Sequence, residues 1–231
     1  MSVQYRIVTG TIRALIRLIC RVHDEELSKV PAEGPLIIIV NHINFLEVPL
    51  LYTHLDDRPI TAFVKAEFQK KPLSNWLANL WNAIPLHRGE VDRAAVRQAR
   101  AALQEGQILM VAPEGTRSQD GRLQQGKGGV VFMALLTGAP ILPLAHFGGE
   151  TIWRNLLRLR RTDFQMRVGE LFYFDAEGRP SKEEREQMTD EMMFQLARLL
   201  PPEYRGVYSD LDAATEEYLR FPERDDGKGG S

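Results

Sequence analysis

The chain has 231 residues, 44% hydrophobic and 26% charged, which suits one globular domain with an ample core, or one domain with an appendage. A formal net charge of −2 gives no nucleic-acid signature, so no nucleic-acid partner is expected. The single cysteine, Cys20, excludes an internal disulfide and any cysteine-rich zinc site, and it fits a reducing cytosolic compartment.

Residues 3–22 predict a helix with two faces. With Arg13 as the zero of angle, Arg6, Arg17 and Arg21 fall within roughly 100° of one another. Ile7, Val8, Ile12, Leu15, Ile16, Leu18, Ile19 and Val22 cover the opposite half. A basic stripe opposite an apolar face suits a helix lying in a membrane interface; packing on a soluble domain is the plainer reading. The arginines interrupt any secretory leader, and no run of about 18 apolar residues predicts a membrane span. A peripheral place on the cytoplasmic face of a membrane is therefore expected.

Residues 24–34 form a polar connection closed by Pro31 and Pro35. Predicted strands then cover 36–40, 60–64, 83–87, 107–112, 140–147 and 164–168. Predicted helices cover 44–55, 72–82, 91–105 and 128–137, with Gly106 and Gly138 as stops. Trp76, Leu77, Leu80 and Trp81 in the second of these suit core packing, an acyl groove or lipid contact. Residues 151–161 set Trp153, Leu156, Leu157 and Leu159 among four arginines, a second candidate for a membrane surface or a solvated helix. Ser181 and Glu184 have capping-box spacing ahead of a helix to Leu200, and 210–220 read as a last helix. Strands alternating with helices predict an α/β fold, a mainly parallel mixed sheet covered by helices on both faces. The expected division is residues 1–30 as amphipathic helix and connection, 31–221 as the catalytic domain and 222–231 as a flexible tail.

Chemistry gathers at strand ends in such a fold. After the apolar run Pro35-Leu-Ile-Ile-Ile-Val40 comes Asn41-His42-Ile43-Asn44-Phe45-Leu46-Glu47. In mid-helix His42 and Glu47 would point about 140° apart. They meet only if His42 lies in the turn and Glu47 opens the helix, where the helix dipole favours an anion. Glu47 can then hold one ring nitrogen and leave the other as a base. The alternative is an unrelated core or surface histidine. Further turns supply Arg88 (in Ile84-Pro85-Leu86-His87-Arg88-Gly89) and the run Pro113-Glu114-Gly115-Thr116-Arg117-Ser118. A fourth segment, Ala139 to Leu144, carries two prolines. Arginines make forked bonds to phosphate, and Gly115 lets backbone approach an anion closely. Glu114 could orient an arginine or bind a substrate hydroxyl.

In this order and spacing the four blocks resemble the phospholipid and glycerol acyltransferase family, the lysophosphatidic acid acyltransferases, over roughly residues 36–146. That family carries Asn-His-x4-Asp, an Arg-Gly block, Pro-Glu-Gly-Thr-Arg-Ser and a Pro-containing strand. The resemblance implies a glycerol-3-phosphate acyltransferase-like fold, with His42 as general base and the acid of the first block orienting it. It implies that Arg88, Glu114, Gly115, Thr116 and Arg117 form an acceptor-phosphate site, with Lys65 a further basic residue. It implies acyl transfer from acyl-CoA or an acyl carrier protein to a lysophospholipid hydroxyl, 1-acylglycerol 3-phosphate first, with no cofactor or metal. One residue departs: the family's aspartate is Glu47 here.

Gly121 to Lys127 matches most of a phosphate-loop pattern, but Gly128 stands where Ser or Thr is required. There is no Gly-x-Ser-x-Gly elbow and no His-Glu-x-x-His. The alternative from another class is a lipid-binding protein of the same fold that does not turn over thioester.

Overall fold

The computed structural model describes residues 3–43, 47–55, 58–87, 92–176 and 178–225. Its main sheet holds β1 (Cys20–His23), β2 (Leu36–Val40), β3 (Ile60–Lys65), β4 (Ile84–Leu86), β5 (Ile108–Val111), β6 (Ile141–Phe147) and β7 (Thr162–Val168). The spatial order is β1-β7-β6-β2-β5-β3-β4. Helices α1 (Val3–Ile19), α2 (Glu47–His54), α3 (Pro72–Leu80), α4 (Arg93–Gln104), α5 (Gly129–Thr137), α6 (Ile152–Leu157) and α7 (Lys182–Leu199) surround it. Short strands β8 (Tyr173–Phe174) and β9 (Leu219–Arg220) pair separately, and a final short helix spans Pro222–Asp225.

β2 is the central strand, parallel to β5 on one side and β6 on the other, with all five residues buried. A strand covered on both faces needs no polar alternation, which is why its sequence is a continuous apolar run. Successive side chains still divide between the faces. Leu36, Ile38 and Val40 pack with Ile16, Leu50, Leu51 and Trp81. Ile37 and Ile39 pack with Ala95, Leu103, Val130, Met192 and Leu196. Truncating Ile38 or Ile39 to alanine would cost about 2–5 kcal/mol. β7 runs antiparallel to β6 and parallel to β1, so the sheet is mixed but mainly parallel, as expected. At the edge where β2 and β5 begin, buried Arg58 donates to Pro31 O (2.6 Å), Gly106 O (2.8 Å) and Gly34 O. One guanidinium thereby holds the loops before both strands.

The first segment differs from expectation in two ways. The helix stops at Ile19, because Cys20–His23 pair with β7 as a sheet strand. Its apolar half is also divided. Thr9 and Ile16 are buried, with Tyr5 and Ile12 half-buried, where α1 packs on the domain. Arg13 belongs to this side, with Nε and Nη2 buried. Val3, Ile7, Leu15 and Leu18 face outward instead. No helix among the described residues is long and apolar enough to cross a membrane.

The expected helix over 210–220 is not formed. Buried Glu191 on α7 accepts from Thr215 Oγ1 (2.7 Å) and from the N–H groups of Glu217 (3.0 Å) and Tyr218 (2.9 Å). Those bonds hold the segment extended into β9, and tertiary contact overrides local propensity. The predicted helix over 151–161 is shortened to α6. Trp81 is core, stacked on Tyr52 at 4.7 Å, while Trp76 and Leu73 face outward. Residues 226–231, most of the expected tail, lie outside the described residues.

Candidate active site

β2, β5, β3, β4 and β6 run parallel, so their C-terminal ends share one edge. β2 delivers Asn41 and His42 there. The buried Asn41 amide extends the β2–β6 pairing by side chain: Nδ2 donates to His146 O at 2.8 Å, and His146 N–H donates back to Oδ1 at 2.9 Å. His42 is therefore set on a fixed backbone.

The condition on His42 and Glu47 is met. His42 lies in the turn, and Glu47 is the first residue of α2. His42 Nδ1 pairs with Glu47 Oε1. Glu47 is only 2% exposed, and its Oε2 accepts from Ile43 N–H at 3.1 Å. The same oxygen lies 3.0 Å from Nε2 of His146, a residue of β6 that the sequence reading did not single out. That Nε2 also faces Asn41 O at 2.7 Å. A ring nitrogen facing a carboxylate and a carbonyl must carry hydrogen, so His146 donates. Burial pushes its pKa down to about 4, and the backbone bond to Asn41 opposes this. The neutral ring stacks on Phe164 with centroids 5.3 Å apart.

Buried Glu47 thus has three donors, Ile43 N–H, His146 Nε2–H and His42 Nδ1–H, as a buried carboxylate requires. With His42 Nδ1 donating, Nε2 is the basic nitrogen. The imidazole is 21% exposed and its Nδ1 is buried, so solvent reaches the ring from the other edge. The glutamate spans two histidines, His42 through Oε1 and His146 through Oε2.

The 113–118 turn is stitched to the same backbone. His42 N–H donates to Glu114 Oε1 at 2.7 Å, and Ser118 N–H donates to His42 O at 2.8 Å. Glu114 also accepts from Gln124 N–H at 3.0 Å through Oε2. Its carboxylate faces inward, where burial raises its pKa and the two N–H bonds oppose the rise. It shapes the turn, and among the described residues neither oxygen is bonded to an arginine. Gly115 has φ of +66°, a conformation that glycine adopts without strain. Thr116 and Arg117 are exposed beyond it.

Lys127 was set aside with the phosphate-loop pattern, yet it belongs here. Its N–H donates to Pro113 O at 3.0 Å. Its Nζ lies 3.0 Å from where a Cβ on Gly115 would stand. Arg117 and Lys127 therefore place two cations at one glycine turn. Lys65 ends β3 on the same edge and is exposed. Arg88 lies outside the described residues. Its neighbour His87 follows β4, and Nδ1 contacts Asp92 at 2.9 Å. Asp92 caps α4, and its carboxyl is held well below the usual range by the Ala95 N–H and by His87.

One edge of the parallel sheet therefore holds a turn histidine bonded through both main-chain groups to a glycine-containing basic turn. Residues 21–146, more than half of the chain, match the family described as Acyltransferase, and the chain is a member of it. A 1-acyl-sn-glycerol-3-phosphate acyltransferase of Chlamydomonas reinhardtii is 26% identical over 185 residues, 78% of this chain and 53% of that protein. A lyso-ornithine lipid O-acyltransferase of Pseudomonas aeruginosa is 31% identical over 112 residues, 48% of this chain and 42% of that protein. These matches span about half the length of those relatives or less. The crystal structure of the 1-acyl-sn-glycerophosphate acyltransferase of Thermotoga maritima has a similar fold, with TM-score 0.58 and 25% identity, covering 81% of this chain and 78% of that one.

Proposed function

We propose that this protein transfers a fatty acyl group from an acyl thioester to a lysophospholipid hydroxyl, 1-acylglycerol 3-phosphate first, at the cytoplasmic face of a membrane. The observation that carries this is the His42–Glu47 pair, with Nδ1 turned to a buried carboxylate and the partly exposed edge of the ring on the other side. His42 Nε2 takes the acceptor hydroxyl's proton as its oxygen attacks the thioester carbonyl carbon. Glu47 stabilises the imidazolium so formed. The tetrahedral intermediate collapses, the C–S bond breaks, and the leaving thiolate takes the proton from His42. His146 and Ile43 N–H keep Glu47 in place and act through it. Arg117, Lys127 and Arg88 bind the acceptor phosphate, Gly115 and Thr116 shape its approach, and Lys65 adds positive charge nearby. Glu114 positions the turn. The donor is acyl-CoA or an acyl carrier protein, used as co-substrate, and no cofactor is needed.

The outward stripe Val3, Ile7, Leu15 and Leu18, bordered by Arg6, Arg17 and Arg21, supports peripheral membrane attachment through α1. A second acceptor, a lyso-ornithine lipid, is favoured by the relative named as a lyso-ornithine lipid O-acyltransferase. The deciding experiment is acyl transfer to glycerol 3-phosphate, lysophosphatidic acid, other lysophospholipids and lyso-ornithine lipid, with both donors. Transfer to lysophosphatidic acid above the rest supports the first reading, and preference for lyso-ornithine lipid supports the second. Retention of lysophospholipid without thioester consumption would make the protein a binder.

A further inference from the structure

The turn that follows α6 combines two features that a merely solvated turn does not need. The first is strain. Arg160 N–H donates to Asn155 O at 2.9 Å and Leu159 N–H to Leu156 O at 3.0 Å, the bond pair of a Schellman helix end. The residue that must turn left-handed there is usually glycine, but here it is Leu159, with φ of +51°. The second feature is exposure. Leu159 is 95% exposed and Leu157 87%, with Trp153 and Leu156 also outward. A leucine placed against its backbone preference, and left in water, gains nothing within the fold.

The charges around it indicate what it meets. Between Glu150 and Asp163 the chain carries Arg154, Arg158, Arg160 and Arg161 and no acid. Arg161 is used internally, as Nη2 donates to Arg17 O (2.5 Å) and Cys20 O (2.6 Å). It ties this turn to the end of α1, the helix whose Leu15 and Leu18 face outward. The other three arginines are exposed beside the leucines.

We propose that the α6 turn is a second lipid contact, a wedge that inserts Leu157, Leu159 and Trp153 at the boundary of headgroup and acyl chain, with Arg154, Arg158 and Arg160 on anionic lipid phosphates. The inference rests on the reading of the protein as an enzyme of the membrane surface. Together with α1 it gives two points of attachment, which fix how the strand-end edge is presented to the bilayer.

The test uses the whole chain and vesicles of phosphatidylglycerol with phosphatidylcholine, against pure phosphatidylcholine. Leu159→Gly separates binding from folding. It removes the strained leucine, so the thermal transition stays or rises. Partition to the anionic vesicles falls roughly tenfold, as expected for losing one inserted leucine. Replacing Arg154, Arg158 and Arg160 by glutamine abolishes most of the preference for anionic vesicles, at roughly fivefold per charge. If wild type partitions and Leu159→Gly matches it within twofold, the wedge is wrong and attachment through α1 alone stands. If wild type partitions to neither vesicle, both the wedge and the membrane reading fall. A concentration-dependent dimer in sedimentation that Leu159→Gly removes, with partition unchanged, would give the surface to a second copy of the chain and overturn the proposal.

Discussion

Glu47 is the residue through which the candidate site can be tested most sharply. Its two oxygens serve His42 Nδ1, His146 Nε2 at 3.0 Å and Ile43 N–H at 3.1 Å. Glu47→Asp withdraws the carboxylate by one C–C bond, about 1.5 Å. A 3.0 Å contact then opens toward about 4.5 Å, beyond hydrogen-bond range. Aspartate can keep His42 or His146, but not both. If it keeps His42, His146 Nε2 still donates to Asn41 O at 2.7 Å, so only one of its two contacts is lost. One net hydrogen bond is worth about 0.5–1.5 kcal/mol, which is about two- to tenfold where it falls wholly on kcat. Glu47→Gln is worse. Its NH2 must oppose one of three N–H donors, and its neutral amide no longer stabilises the imidazolium. The expected fall is about 100-fold, within the usual range for a crippled general base. The assay is thiol release at saturating acceptor and donor, on variants matched by thermal transition. His146→Phe keeps the stack on Phe164 but cannot donate, and alone it should lower kcat about five- to tenfold. Because His146 acts through Glu47, it should have little further effect in the Glu47→Gln background. Additivity of the two within about 0.5 kcal/mol would refute the argument, because non-interacting sites add in that way.

Other expectations follow from the same geometry. His42→Ala should lose about 10²–10⁴-fold in turnover with an unchanged thermal transition, and activity within a few-fold of wild type would remove it as the base. Arg117→Ala and Lys127→Ala should each raise the acceptor KM more than the donor KM; a larger donor effect would move the turn to the thioester's own phosphates. His146 also gives a signature in stability. Its folded pKa of about 4 lies below the ordinary 6.5, so the unfolded chain binds its proton first as pH falls. Its contribution is present above pH 6.5 and is lost as pH falls from 6.5 toward 4. Urea unfolding across that window should lose part of its pH dependence in His146→Phe. For attachment through α1, Leu15→Ser with Leu18→Ser is a cleaner test than removing residues 1–22, because the deletion would also strip most of β1 and expose the surface under Ile16. The double variant should partition less to anionic vesicles while staying folded.

The central strand and the His42–Glu47 pair were legible because both are local. The run 36–40 is apolar throughout, and the offset of five residues leaves one geometry in which a turn histidine meets a helix-opening acid. His146 was not legible, because its role depends on the register of β6 against β2. Val40 pairs with Leu144, so two residues further along each strand His42 and His146 stand side by side. A histidine in the otherwise apolar Leu142–Phe147 run was the available signal. Lys127 was hidden similarly, since only the folding back of the 118–127 loop brings it over Gly115. On α1 the apolar residues up to Ile19 were legible while Val22 went to β1, and helical periodicity cannot say which part of a wide apolar arc the domain will cover. The helix expected at 210–220 was lost to Glu191, a partner more than twenty residues away.

The stitching of His42 has a consequence for how the candidate site assembles. Both main-chain groups of His42 are bonded to the 113–118 turn, Glu114 lying 72 residues downstream. The local strand–turn–helix unit around β2 can collapse early, since its contacts are near in sequence. It then holds an imidazole whose backbone is not yet fixed. The loop around Gly115 must close first, so recovery of turnover after dilution from urea should lag the return of helical signal. Enzymatic rate is thus a reporter for the last long-range closure in folding, and a synchronous return of the two signals would show that the turn docks with the initial collapse.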